Sequence, residues 1–187
     1  MSLETLVPPA LEPITLAAAR AFLRIGSDGD DSVLTSLLIG AREALEARTG
    51  KALVTRTLRQ RFFGAGLDPR TANLPNVLVP ARGPASALVA VRTIAADGSE
   101  AAAPTGLVRL LDGRFVLNPS VSPAHIGLSI DYQAGYGPSA NVVPEAFKLS
   151  ILDAVADALV RRDNGSSASG EGSPMPNWEQ RLNEVKL

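Results

Sequence analysis

Apolar residues recur at helical spacing in three stretches of the chain, and at strand-like spacing between the second and third. The first helical stretch, about 16–24, opens after Thr15, a good N-cap, and sets Leu16, Ala19, Phe22 and Leu23 on one side. Gly26-Ser27-Asp28-Gly29-Asp30 interrupts the pattern, and Asp30 or Asp31 can cap a second helix at about 32–49. There Val33, Leu34, Leu37, Leu38, Ala41, Ala44 and Leu45 form one broad apolar face, and Gly50 stands in the C′ position that ends a helix. Two helices joined by a short acidic loop read as a helical hairpin.

From Leu53 to Tyr136, Thr- and Val-rich runs alternate with Pro, Gly and Asn-Pro punctuation, the pattern of short strands. Strands are expected at about 53–62, 77–80, 86–95, 107–111, 114–118 and 127–134. Asp97-Gly98 and Asp112-Gly113 mark turns; the second, tightly flanked by apolar runs, is the better hairpin signal. Pro144, at an N1 position, opens a third helix at about 144–162. Phe147, Ile151, Ala154, Val155 and Ala158 make one apolar stripe along it; Leu149, Leu152, Ala156, Leu159 and Val160 make a second. Ser150, Asp153, Asp157 and Arg161 form the polar strip that remains. A helix apolar around most of its circumference is covered on more than one side, by its own domain, a neighbouring subunit or both.

Residues 164–176 are Gly- and Ser-rich and read as a flexible linker. Beyond them, Asn177 can cap a short helix with Trp178, Leu182 and Val185 on one side, in a segment too short to hold a helix alone. The expected fold class is α+β: a helical bundle, made of the N-terminal hairpin and the long helix, carrying a β-rich insertion. Residues 1–163 would be a single domain (helices in 15–50 and 144–162, β-rich part 53–136), followed by the linker 164–176 and a docking segment 177–187.

Composition narrows the function. The 187 residues carry 18 Lys and Arg against 19 Asp and Glu, so no basic excess points to a tight grip on nucleic acid. No cysteine is present, which removes disulfides, thiolate nucleophiles and Cys-ligated metals. The opening MSLETLVPPALEP has neither a basic start nor a continuous apolar run, and nothing approaches a membrane span, so a soluble cytoplasmic protein without membrane contact is expected.

Candidate chemistry is thin. The one histidine, His125, comes without a G-x-S-x-G elbow. Asp28, Asp30 and Asp31 lack the ligand series of a calcium loop and read as turn and cap residues. Asp153 and Asp157 lie one helical turn apart, but no histidine or second carboxylate pair stands near them in sequence. Gly135-Tyr136-Gly137-Pro138 is neither a P-loop nor a dinucleotide fingerprint, and Asn164-Gly165-Ser166 is a chance sequon. Arg59 and Arg61 share one face of the first of these strands and Arg56 points to the other; an exposed strand face or subunit salt bridges suit them better than a phosphate site. No catalytic, cofactor or metal residue is expected.

The order of the pieces resembles a known family. Ile14-Thr15-Leu16-Ala17-Ala18-Ala19-Arg20-Ala21-Phe22-Leu23-Arg24-Ile25 precedes the acidic break; Thr49-Gly50-Lys51-Ala52-Leu53-Val54-Thr55-Arg56-Thr57 links the second helix to the strands; Tyr132-Gln133-Ala134-Gly135-Tyr136-Gly137 and Val143-Pro144-Glu145-Ala146 lead into the third helix. Together these are similar to the head–tail connector (adaptor) proteins of long-tailed phages and phage-derived gene transfer agents, over most of 14–163. The resemblance implies a non-enzymatic virion structural protein in the neck of a phage-like particle: a homo-oligomeric ring, commonly of twelve, docked on the portal, receiving a stopper or tail-completion protein, with DNA passing through its lumen in weak contact only. It implies that the C-terminal segment reaches the portal, which makes Trp178, Leu182 and Val185 the expected docking residues. Leu149, Leu152, Ala156, Val160, Asp153, Asp157 and Arg161 are the expected subunit-interface residues. Another ring-forming neck protein (a stopper or terminator), a DNA-packaging factor and a small hydrolase are the alternatives.

Overall fold

Ser2–Val7, to which the hydrophobic pattern assigns no element, is a β-strand. In the computed structural model, which describes residues 2–26, 31–63, 77–118 and 126–163, this strand (β1) is followed by helices α1 (Leu16–Leu23) and α2 (Asp31–Thr49). Strands β2 (Arg56–Phe63), β3 (Val77–Leu78), β4 (Ala85–Ile94), β5 (Glu100–Ala102), β6 (Val108–Leu111), β7 (Arg114–Leu117) and β8 (Gly127–Ala134) come next, then a 3-10 turn (Ala140–Val142) and helix α3 (Glu145–Asp163). The described residues fall into two compact units, one drawn from Met1–Ala10 and Gly50–Pro138, the other from Leu11–Thr49 and Ser139–Leu187.

The sheet unit holds a five-stranded antiparallel sheet in the order β1-β2-β8-β4-β5 and a three-stranded one in the order β3-β7-β6. Alternation sorts the side chains of β2 and β8. Leu58, Gln60 and Phe62 face inward beside Tyr132, Ile130 and Leu128, their register partners. Val108, Phe115 and Leu117 from the smaller sheet complete this core, where Phe115 meets Phe62 and Tyr132 edge-on at centroid distances of 6.3 and 5.1 Å. Buried Gln60 is satisfied inside it: its Oε1 accepts from the Ala81 N–H (2.8 Å) and the Tyr132 hydroxyl (3.4 Å), and its Nε2 donates to the Val79 carbonyl (3.4 Å). The Arg82 N–H donates to the same tyrosine oxygen (3.3 Å), so segment 79–82 is pinned to the core by polar contacts.

Turn chemistry closes the sheets as the sequence predicts. Asp112 and Gly113 both adopt positive φ (50° and 69°), the geometry of a two-residue hairpin between β6 and β7. At Gly135 (φ 139°) the constraint is steric as well. A Cβ there would lie 2.5 Å from the Thr55 nitrogen, where the strand ends pass each other and the Thr55 N–H donates to the Gly137 carbonyl at 2.9 Å.

In the helical unit α2 packs against α3, and α1 touches both. Thr15 caps α1 as expected, its Oγ1 accepting from the Ala18 N–H at 3.2 Å. The buried face of α2 is Leu34, Leu38, Arg42, Leu45 and Glu46, while Val33 and Ala44 of the expected apolar face are exposed. Arg42 and Glu46, one turn apart, are buried as a pair: the guanidinium donates to Glu46 (2.9 Å), to Glu12 (2.7 Å) and to Glu43 (3.3 Å). On α3, Phe147, Ile151 and Val155 are buried, and Ser150 joins them because its hydroxyl donates back to the Ala146 carbonyl at 2.8 Å.

The expectation of a helical bundle carrying a β-rich insertion is corrected. Helix and strand take up about equal parts of the described residues, and the strands build two antiparallel sheets with a core of their own. Because β1 pairs with β2, the hairpin α1–α2 lies between two strands of one sheet just as the sheets lie between α2 and α3. Neither unit is an insertion in the other. The misreading arises from β1, whose side chains are nearly all exposed and leave no buried alternation to read.

Candidate functional site

Helix α3 carries the residues expected to meet a neighbouring subunit. At 100° per residue, Leu149, Asp153, Ala156 and Val160 share one side, away from Phe147, Ile151 and Val155. Leu149 and Val160 are 44% and 58% exposed; Asp153, Ala156 and Asp157 are half-buried and Arg161 is exposed. Leu152, at 9%, is packed into the helical unit. The helix thus presents two large aliphatic side chains three turns apart with carboxylates between them. Trp178, Leu182 and Val185 lie outside the described residues, as do the linker 164–176, the sequon at Asn164, His125, Asp28 and Asp30. Asp31 is described: it opens α2 and pairs with Arg20 of α1.

The strand arginines occupy a charged network on the outer face of the larger sheet. Asp131, in the middle of β8 and 3% exposed, accepts from Arg59 Nε and Nη2 (2.7 and 2.9 Å) and from Arg92 Nη1 (2.8 Å). Arg61 reaches Glu100 on β5 (3.2 Å) and Glu4 on β1 (3.4 Å), so its side chain links the two edge strands. Three guanidinium groups meet three carboxylates here. Burial pulls the Asp131 carboxyl upward, but the hydrogen bonds and charges of Arg59 and Arg92 outweigh it and hold it below the ordinary aspartate value. The hydrogen bond to Asp131 raises the Arg59 pKa in turn. Sequence parity identifies Arg59 and Arg61 as one face; Arg92 and Asp131 escape notice because their partners lie far away in sequence.

A cavity of about 340 Å³ in the helical unit is lined mainly by apolar atoms of Leu11, Ile14, Leu16 and Leu38, with the Glu12 carboxylate engaged by Arg42. Among the described residues no group of three or more His, Cys, Asp or Glu could hold a metal ion, and no helix is long and apolar enough to cross a membrane.

These features define a two-unit α+β protein with exposed apolar side chains that include Leu3 and Val7 on an edge strand and Leu149 and Val160 on one side of α3. Residues 13–97 match the family model described as phage gp6-like head-tail connector protein. Over nearly its whole length the chain has the fold of solved neck subunits. A chain in the neck of an empty GTA particle, computed with C6 symmetry, is 23% identical with a TM-score of 0.74, covering 97% of this chain and 95% of that one. A chain in the virion of a native gene transfer agent particle is 21% identical with a TM-score of 0.72, covering 98% and 94%. A third, in the neck of a native GTA particle computed with C12 symmetry, is 21% identical with a TM-score of 0.68 at the same coverage. A comparison with curated proteins finds no match. The resemblance to head–tail connectors carried by the sequence motifs is therefore found again, by a family model over 13–97 and by fold over the chain.

Proposed function

We propose that this chain is a structural head–tail adaptor subunit in the neck of a phage-like particle. The observation that carries this reading is the match of residues 13–97 to the connector family; the likeness to neck subunits in fold supports it. In this reading copies assemble in the cytoplasm into a ring, of twelve in the finished neck, between the portal and a stopper or tail-completion protein. The outward side of α3, with Leu149, Ala156 and Val160 apolar and Asp153, Asp157 and Arg161 polar, meets the adjacent subunit. Leu152, packed inward, braces that helix. Heterologous contacts of this kind close into a ring.

The C-terminal segment 177–187 docks on the portal through Trp178, Leu182 and Val185. Burying a large aliphatic side chain yields roughly 1.5–3 kcal/mol, and repetition around the ring adds avidity that offsets the entropy of ordering the linker. DNA passes through the lumen with weak contact only: Arg59 and Arg61 already sit on carboxylates, and the 18 Lys and Arg of the chain are balanced by 19 Asp and Glu. The subunit has no catalytic role. Cryo-electron microscopy of particles tests the reading, since it requires a closed ring of this chain at the neck; a single copy per particle, or absence from the neck, refutes it.

A further inference from the structure

Strand β1 is weakly anchored in the larger sheet. It lies at the edge, pairs with β2 alone, and contributes no buried side chain; Leu3 is 39% and Val7 55% exposed. Beyond the ladder, its Glu4 carboxylate reaches Arg61 at 3.4 Å in a pair open to solvent. No hairpin ties β1 to its partner either. From Val7 the chain runs through Pro8, Pro9 and Pro13 and then the whole α1–α2 hairpin before returning as β2. Proline fixes φ and offers no N–H, so Pro8, Pro9 and Pro13 supply no backbone donor to hold this lead against the sheet. The β2 edge of any other copy offers β1 the same hydrogen-bonding groups.

We infer that in the assembled ring β1 of each subunit pairs with β2 of the adjacent copy, a strand exchange between copies of this chain. The inference rests on the ring reading above. The register Ser2↔Arg61 through Val7↔Thr57 and the contact of Glu4 with Arg61 are the same in both arrangements, so exchange loses no ladder bond. Held beside its neighbour in a ring, each strand meets the adjacent edge at high effective concentration. Each subunit gives a strand on one side and receives one on the other, a heterologous contact that closes. A strand that adds nothing to its own core thereby becomes a tie between subunits.

The absence of cysteine makes the test clean. Val7 and Thr57 are register partners at the end of the ladder, just past an irregularity between Thr5 and Val7. Opposed Cα atoms in antiparallel pairs lie roughly 4.5–5.5 Å apart, within the roughly 4.4–6.8 Å a disulfide spans. Full-length Val7→Cys and Thr57→Cys chains are mixed, assembled with the partner proteins, and the purified rings oxidised. Exchange gives a non-reducing band of twice the chain mass from mixed rings and none from either single variant alone. A chain carrying both substitutions closes on itself when free and gives a ladder of multimers from rings. Rings in which the double variant closes only on itself, or forms no disulfide, overturn the exchange while leaving the neck reading intact. Ring formation is scored separately by electron microscopy; if no ring forms, the neck reading fails and the exchange falls with it.

Discussion

Asp131 sits in the middle of β8 with its carboxylate nearly out of water, bound by guanidinium groups from the strands on either side. Asp131→Asn would leave Arg59 and Arg92 facing each other without the shared anion. The cost is expected at about 2–3 kcal/mol, below the roughly 3–5 of a fully buried pair, because both arginines remain partly in solvent; a urea titration measures it. A carboxyl held below its ordinary value stabilises the fold above that value and loses the contribution as pH falls through its lower, folded pKa. Stability should therefore decline with acid below the usual 3.8, and less steeply in Asp131→Asn. Tyr132 sets the opposite limit. Burial pushes its hydroxyl up to about 12 from the usual 10, so its contribution is lost as pH rises between those values. Tyr132→Phe should flatten that alkaline loss and cost about 1 kcal/mol at neutral pH, by leaving the Arg82 N–H without its acceptor.

At the scale of elements, α3 has two kinds of apolar residue that mutation can separate. Ile151→Ala opens a cavity in the helical unit and should cost about 2–5 kcal/mol. Leu149→Glu with Val160→Glu alters only exposed positions, so monomer stability should stay within about 0.5 kcal/mol while ring assembly fails; chemical denaturation paired with electron microscopy reads both. Most elements were legible from periodicity and turn residues: three helices with the Thr15 cap of α1, the Asp112-Gly113 hairpin, and β8 to its end residues. What was not legible has physical causes. Strand β1 buries nothing, and β5 is a three-residue strand with every residue exposed, so neither leaves a trace in the hydrophobic pattern. Arg42 and Glu46 look like a solvated helical pair, because sequence spacing cannot tell a surface ion pair from one closed over by Glu12 and the helices. The architecture was misread for the same reason as β1, since that one pairing decides that the sheet is no insertion. For the candidate site, spacing found the outward line on α3 but could not tell that Leu152 turns inward.

For the whole molecule, truncation after Asp163, or Trp178→Ala alone, should leave the described domain folded yet yield filled heads without tails; wild-type numbers of tailed particles from the truncated chain would rule out the anchoring role. Duplex DNA should bind weakly at about 150 mM salt, and tight binding in an anisotropy titration would promote a packaging role instead. The order in which β1, the helices and the sheets follow one another also governs how the chain can be made. A ribosome releases β1 long before β2, and α2 before nearly the whole sheet unit, with α3 last. Leu34, Leu38 and Leu45 must therefore wait without their final partner while the strands are synthesised. Vectorial synthesis cannot finish the helical unit early, and nascent chains arrested before Glu145 should be captured by chaperones or aggregate, while those carrying all of α3 outside the exit tunnel fold.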